Sequence, residues 1–336
     1  MLIGKNIIKP TNVMYVDKWE LNFVEEKSSG ETQYEEAYIG QVPIQNTDTH
    51  LYLGHMISST GDNSVNIQER KKKALGNIRT IFSKLNSLNL MKYHFESAMI
   101  LMLCMLRSSL LYSAETYYNL KENNLREIEK VEESFLRQLL DQTKGCPLTQ
   151  LYLECGIYPA RFEILKMRLL FLQYILKQDK ESLIYRFFNL EAKHPTKGCW
   201  ANQIKSDLQY TDIRLSYTEI LSLSKYQFRK IVKEKVKTMA FQYLLSRQKS
   251  KGKEIKYKCL RMSEYLLPNR DLTIEDQIQI FSIRNKMIIN FSNKNTLCLS
   301  GCGQMENLEH IYYCEKLSDI DISRRPPYCN IYRQYI

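Results

Sequence analysis

The sequence predicts a mainly α protein: a helical bundle preceded by a small β-rich N-terminal segment and followed by a short tail containing Cys and His. Apolar residues recur at helical spacing over most of the chain after Asn63. Gly and Pro number only 12 and 8 in 336 residues, which favours long regular elements over a turn-rich β protein. The hydrophobic and charged fractions, 44% and 25%, are those of a globular protein and exclude a disordered or fibrous chain.

Residues 1–60 carry short β-rich runs separated by polar turns. The runs predict strands over Asn12–Val16, Trp19–Glu25 and Ala37–Pro43. A further strand is predicted over Leu51–Ile57, with Gly54 in its interior. An interior glycine of that kind indicates a bulge or the close approach of another backbone.

The first predicted helix presents Ile67, Ala74 and Leu85 on one face and places Arg70–Lys73 elsewhere on the surface. Phe95–Tyr112 is apolar nearly all round, as expected for the central helix of a bundle. Further helices are predicted over Leu125–Leu139, Phe162–Leu176, Ser182–Leu190 and Tyr226–Arg247. With a linker at His194–Gly198, the expected domains are residues 1–60, 61–195, 196–290 and 291–336.

The chain is basic, with 48 Lys and Arg against 37 Asp and Glu, a net charge of +11. Twelve basic residues and two acidic ones lie between Lys225 and Lys258. Within this segment Arg229, Lys233 and Lys237 recur every four residues, on one ridge of a helix. Such a ridge suits a phosphate backbone, because each bound cation releases condensed counterions. The alternative is a solvated lysine face.

A membrane partner is not expected. No run reaches the roughly 18–20 apolar residues of a membrane span. The apolar side of the basic helix is mostly Ile, Val and Met, whereas an interfacial helix usually presents Trp, Phe and Leu. The N-terminus has no apolar core of a secretory signal, so we expect a reducing compartment, the nucleus or the cytoplasm.

The tail contains the pattern Cys298-x3-Cys302-x7-His310-x3-Cys314. Three thiolates and one imidazole form a tetrahedral zinc set, and the short spacing within each pair bends two ligands onto one ion. A structural Zn is therefore predicted, since so short a segment has little core of its own. The alternative is a set of exposed thiols.

Catalytic motifs are missing from the sequence. It contains no adjacent Asp pair, no phosphate-binding Gly-x-x-x-x-Gly-Lys-Ser/Thr, no Gly-x-Gly-x-x-Gly and no His-Glu-x-x-His. Two-metal nucleotidyl transfer needs clustered carboxylates, and the aspartates here are scattered singly. The residues by themselves therefore predict a binding protein.

Leu51–Ser58, followed by a basic helix, resembles the palm–thumb junction of non-LTR retrotransposon reverse transcriptases. Lys9–Met14 is similar to the stretch that closes the palm in that family, and Leu110–Glu115 and Leu151–Pro159 are similar to its thumb and helical region. Phe281–Arg284 and the Cys/His tail follow in the family's order. The resemblance implies a palm remnant over residues 1–60, a thumb-like domain, a basic helical linker and a CCHC zinc-knuckle-like tail.

The resemblance implies that Tyr52, Leu53 and Gly54 form a primer-grip-like turn. It places the family's polymerase aspartates before Met1, so no catalysis is expected from this chain alone. The expected partners are RNA or an RNA–DNA hybrid, with target DNA or a palm-bearing polypeptide as further partners. The candidate nucleic-acid contacts are Tyr52, Leu53, Gly54, Arg70, Lys71, Lys72, Lys73, Arg79, Arg229, Lys233, Lys237, Lys251 and Lys253.

Two alternatives stay open. In the first, the chain is part of an active RNA-directed DNA polymerase whose palm lies upstream or on another polypeptide. In the second, it is a helical scaffold that binds proteins and uses zinc structurally. The scaffold predicts partner binding that is insensitive to salt and no affinity for polyanions.

Overall fold

Helices make up most of the computed structural model, in agreement with the predicted fold class. The structure describes residues 7–8, 37–39, 42–44, 46–88, 95–142, 146–194, 198–250, 257–267, 272–285 and 303. The predicted strands over Asn12–Val16 and Trp19–Glu25 lie outside these residues.

The strands described before residue 60 form three antiparallel pairs. They are β1 (Ile7–Ile8) with β4 (Asn46–Thr47), β2 (Ala37–Ile39) with β3 (Val42–Ile44), and β5 (Thr49–Tyr52) with β6 (His55–Ser58). The prediction of single strands over Ala37–Pro43 and Leu51–Ile57 is therefore wrong, because each range reverses direction into a hairpin.

Gly54 lies in the turn of the β5–β6 hairpin and does not form the predicted bulge within a strand. Tyr52 pairs with His55, which leaves Leu53 and Gly54 as a two-residue turn. Both have positive φ, 45° and 80°, as a type I′ turn requires. Glycine adopts this conformation without steric conflict, so it reverses the chain here and does not interrupt one strand.

The described α-helices follow the hairpins along the chain. They are α1 (Ser64–Ser87), α2 (Phe95–Leu101), α3 (Ser108–Leu110), α4 (Glu122–Leu139), α5 (Leu148–Glu154), α6 (Ala160–Leu176), α7 (Leu183–Lys193), α8 (Trp200–Tyr210), α9 (Tyr217–Ser222), α10 (Lys225–Lys249) and α11 (Ile274–Arg284). The predicted continuous helix over Phe95–Tyr112 is interrupted by a π-helical segment, Met102–Arg107, between α2 and α3.

Two apolar cores share α6 and α10. The first core joins α1, α2, α4 and α5 with the segment after residue 257. The second core joins α6, α7, α8 and α9 with the N-terminal half of α10. Ile164 of α6 and Leu244 of α10 belong to the first core, whereas Leu169 and Val232 belong to the second. Because α6 and α10 pack along each other, they couple the two groups of helices.

A buried carboxylate links four segments of the first group. Glu132 of α4 accepts hydrogen bonds from Arg107 Nε at 2.6 Å and from Tyr152 Oη and Ala160 N at 2.9 Å. Arg107 also donates to the carbonyl oxygen of Tyr158. The side chain of Glu132 is fully buried, so these donors replace all of its hydration. The π-helical segment, α4, α5 and the start of α6 are thereby held together.

The chain after residue 257 docks on α5 through a second buried carboxylate. Glu154 accepts from Tyr257 Oη at 2.7 Å, from Arg284 Nε at 3.1 Å and from the hydroxyl of Ser263. Next to it, Gly156 has φ of +65°, and a Cβ atom there would lie 1.9 Å from the backbone nitrogen of Met262. Both the conformation and the space therefore require glycine.

We expect Glu132→Gln to destabilise the fold by about 3–5 kcal/mol, since it removes the carboxylate charge that is hydrogen-bonded to the buried Arg107 guanidinium. Urea unfolding measures the change. Arg126→Ala on the same helix is the control, because its pair with Glu122 is solvent-exposed and such pairs contribute about 0–1 kcal/mol. An equal loss in the two variants would contradict a special role for Glu132.

Two glycine substitutions are expected to act in opposite directions. Gly156→Ala should lower the melting temperature and expose the segment after residue 257 to limited proteolysis, because the new Cβ collides with backbone. Gly76→Ala, at an exposed position of α1 where a Cβ meets no atom within 4 Å, should stabilise the protein by about 0.5–1 kcal/mol. Thermal unfolding of both variants tests this, and a stable Gly156→Ala protein would refute the close approach.

Candidate nucleic-acid interface

A cleft of about 1490 Å³ lies between the β5–β6 hairpin and the middle of α10. Its floor is formed by the π-helical segment, the chain that follows α3 and the start of α6. Its lining includes Tyr52, Leu53, His55, Asp62, Leu103, Arg107, Tyr112, Glu115, Tyr158, Glu163, Lys166, Lys233 and Lys237. Elements from positions 52 to 237 of the chain therefore converge on one concave surface.

Asn66, a fully buried residue of α1, attaches the hairpin to the helices. Its side-chain oxygen accepts from Met56 N at 3.0 Å, and its nitrogen donates to Tyr117 Oη at 2.7 Å. The same nitrogen lies 3.2 Å from His55 Nδ1. Burial and the neighbouring Arg70 lower the pKa of His55, so the imidazole is neutral and its Nδ1 accepts the third hydrogen bond. The strand β6 is thus fixed to α1.

The turn itself is held by Arg70 and Tyr112. The Arg70 guanidinium donates to the carbonyl oxygen of Gly54 and lies 4.3 Å from the centre of the Tyr112 ring. Tyr112 Oη donates to the carbonyl oxygen of Leu53 at 3.0 Å. A left-handed Leu costs about 1–2 kcal/mol, and these two bonds offset that strain.

The prediction that Arg70 lies on the surface is wrong. The sequence pattern places it on the surface with Lys71–Lys73, but it is only 6% exposed. The reason is that the hairpin folds back over this turn of α1 and supplies a carbonyl acceptor for the guanidinium. Arg70 therefore supports the turn from inside the protein and does not face solvent.

The tip of the hairpin presents apolar and aromatic side chains to the cleft. Tyr52 is 58% exposed and Leu53 is 75% exposed, although large apolar side chains usually pack inside. Tyr112 and Leu103, also exposed, continue the same rim. A rim of this composition can stack on bases or cover a sugar face.

The opposite wall carries two exposed cations from the predicted basic ridge. Lys233 and Lys237 line the cleft, and neither forms an ion pair with any residue that the structure describes. Arg229, the third member of the ridge, is exposed but does not line the cleft. The buried face of α10, which includes Val232 and Val236, packs on α6 and fixes the direction of the ridge.

The cations on the floor of the cleft are neutralised. Arg107 pairs with Glu132, and Lys166 pairs with Glu163. Because these charges are matched within the protein, Lys233 and Lys237 are the lining cations available to an anion.

The predicted contacts on α1 divide into two kinds. Lys71 pairs with Glu127, whereas Lys72, Lys73 and Arg79 are exposed. None of the three exposed residues lines the cleft. The helix α1 therefore carries a second basic face. This face lies outside the cleft and is separate from the α10 ridge.

Several predicted sites lie outside the described residues. They are Lys251 and Lys253, together with the zinc set Cys298, Cys302, His310 and Cys314. Among the residues that are described, no group of three His, Cys, Asp or Glu side chains could hold a metal ion. Zinc binding by the tail stays a prediction. In the described part of the chain, no helix is both long enough and apolar enough to cross a membrane.

Two functional residues were missed in the sequence. Asn66 is a polar residue next to Ile67 on the buried face of α1, and a polar side chain at such a position signals a hydrogen-bond anchor. Tyr112 is part of the Leu110–Glu115 stretch that resembles the thumb, but its contact with the turn depends on a residue 59 positions away. Local spacing cannot reveal that contact.

We expect acidification to weaken the attachment of the hairpin. The folded-state pKa of His55 lies below its unfolded value of about 6.5, so the unfolded chain binds more protons below that pH. Stability from this group is present above about pH 6.5 and is lost as the pH falls, because a protonated Nδ1 no longer accepts from Asn66. Urea unfolding at two pH values, near 7.5 and 5.5, measures the loss.

His55→Gln is the matched variant, because its amide oxygen can still accept the hydrogen bond but does not titrate. Its stability should fall less than that of the wild-type protein over the same pH interval. An equal loss of stability in the two proteins between these pH values would show that His55 does not contribute to the pH dependence.

Comparison with known proteins yields no relative. No family model, no curated protein and no solved structure matches the chain. The resemblance to non-LTR reverse transcriptases stays a prediction, and function is inferred from the residues of the cleft.

Proposed function

We propose that the protein binds nucleic acid, RNA or an RNA–DNA hybrid, in the cleft between the β5–β6 hairpin and α10, without carrying out polymerisation by itself. One observation carries the proposal: two features that were predicted separately from the sequence lie in the same cleft. The turn residues Tyr52 and Leu53 and the ridge residues Lys233 and Lys237 line the same cleft.

The two walls offer complementary contacts to a sugar-phosphate chain. Lys233 and Lys237 are available to phosphates on one side, and Tyr52, Leu53 and Tyr112 present aromatic and apolar surface on the other. Phosphate contacts position a nucleic acid without reading its sequence, while base stacking tolerates any base. We therefore expect binding with little sequence preference.

The carboxylates that line the cleft limit its positive charge. Hydrogen bonds from the backbone and hydroxyl of Ser64 lower the pKa of Asp62, so this carboxylate is ionised at neutral pH. Glu163 is ionised as well and pairs with Lys166. Glu115 adds a third carboxylate. Beside the Lys166–Glu163 pair, Asp62 and Glu115 match Lys233 and Lys237 in number, so binding depends on the positions of the two lysines on one wall and not on a net positive lining.

Replacing Lys233 and Lys237 together with Ala should weaken binding and lower the salt slope. Each lost phosphate contact reduces the slope of log affinity against log salt by about 0.7–0.9, so the double variant should lose about 1.4–1.8. Fluorescence anisotropy with a structured RNA and an RNA–DNA hybrid, across a salt series, measures both quantities.

The charge-matched control replaces Lys180 and Lys193, two exposed lysines that do not line the cleft. This variant should retain both the wild-type affinity and the wild-type slope. Equal losses in the two double variants would indicate adsorption to the whole basic surface. Absence of binding by the wild-type protein at low salt would refute the proposed function and favour the protein-scaffold alternative.

A further inference from the structure

The outer surface of α10 carries a straight stripe that continues beyond the cleft. Tyr226, Lys230, Lys233 and Lys237 follow one another at i, i+4, i+7 and i+11, which places them on one face of the helix. All four are exposed, and Tyr226 is 76% exposed.

The stripe begins inside the cleft and ends outside it. Lys233 and Lys237 line the cleft, whereas Lys230 and Tyr226 do not. At a rise of about 1.5 Å per residue, the stripe is about 16 Å long. It therefore leads from the cleft to the first turn of α10.

The stripe is available to a ligand. Its three lysines form no ion pair with any described residue, in contrast to Lys235 on the opposite side of α10, which pairs with Asp212. One exposed acidic residue, Glu234, lies beside the stripe. Against the three lysines it leaves a local excess of positive charge.

Tyr226 is held on a rigid turn and is not needed for packing. Ser224 and Gln227 form a reciprocal capping box, with Ser224 Oγ accepting from Gln227 N at 3.2 Å and Gln227 Oε1 accepting from Ser224 N at 2.9 Å. The Tyr226 ring stacks on no other described ring. An exposed ring on a capped helical turn, at the end of a row of cations, has the composition of a platform for an unpaired base.

We propose that the stripe binds an unpaired strand as it leaves the cleft, with the lysines on its phosphates and the Tyr226 ring stacked on a base. This proposal rests on the proposed function and specifies the ligand as a nucleic acid with a single-stranded extension. An unpaired strand is required because the bases of a duplex are stacked on each other and offer no free face to the Tyr226 ring away from the duplex ends.

The test uses one stem-loop RNA in three forms: blunt, with an unpaired extension of about ten nucleotides at the 5′ end, and with the same extension at the 3′ end. Wild-type protein should bind at least one extended form about tenfold more tightly than the blunt form. Tyr226→Ala should remove this gain and leave the affinity for the blunt form unchanged, whereas Tyr226→Phe should retain the gain.

Tyr174→Ala is the matched control, since Tyr174 is an exposed tyrosine of α6 that belongs neither to the stripe nor to the cleft. It should retain the wild-type gain. If the extension brings no gain, or if Tyr226→Ala keeps the gain, the stripe does not bind a strand, even though the cleft binds the stem. If the wild-type protein binds none of the three RNAs, the proposed function fails together with this inference.

Discussion

The buried carboxylate of Glu132 is the constraint on which the cleft depends. It accepts the Arg107 guanidinium from the π-helical segment, the Tyr152 hydroxyl from α5 and the first backbone amide of α6. Arg107 and Tyr158, which this network holds, both line the cleft floor. A buried pair of this kind adds little net stability compared with apolar packing, but each partner makes the other indispensable, because an unpaired buried charge is strongly unfavourable. Loss of either Arg107 or Glu132 is therefore expected to disturb the cleft floor.

The hairpin depends on the helices in a similar way. A two-stranded hairpin is marginally stable alone, and this one carries a leucine in the left-handed region at its turn. Asn66 fixes its second strand, while Arg70 and Tyr112 bond to the two carbonyls of the turn. With its backbone fixed by α1 and the chain after α3, the tip can leave Tyr52 and Leu53 exposed. Apolar side chains exposed on a rigid turn are typical of an interaction surface.

The two walls of the cleft offer different kinds of contact to a ligand. The hairpin wall offers aromatic and apolar surface, and the α10 wall offers two lysines without internal counter-charges. The other lining cations are matched by Glu132 and Glu163, so the lining cations without an ion pair are those of α10, and the lining carboxylates Asp62 and Glu115 oppose them. Stacking and phosphate neutralisation act on different parts of the same nucleotide, which allows the walls to act together on a single ligand. The stripe that ends at Tyr226 repeats this combination outside the cleft.

The sequence by itself determined the helical class, the approximate spans of α1, α4, α6 and α10, and the concentration of basic residues on α10. These features follow from local spacing, because an apolar stripe and a charged ridge are properties of neighbouring turns of one helix. Tertiary structure alone decided that Arg70 is buried, that Leu53 and Gly54 reverse the chain, and that Lys233 and Lys237 face a cleft while Arg229 does not. The acceptor of Arg70 lies 16 positions away and the hairpin lies about 180 positions from the α10 lysines. Contacts over such separations arise from the packing of whole helices, which no local pattern encodes.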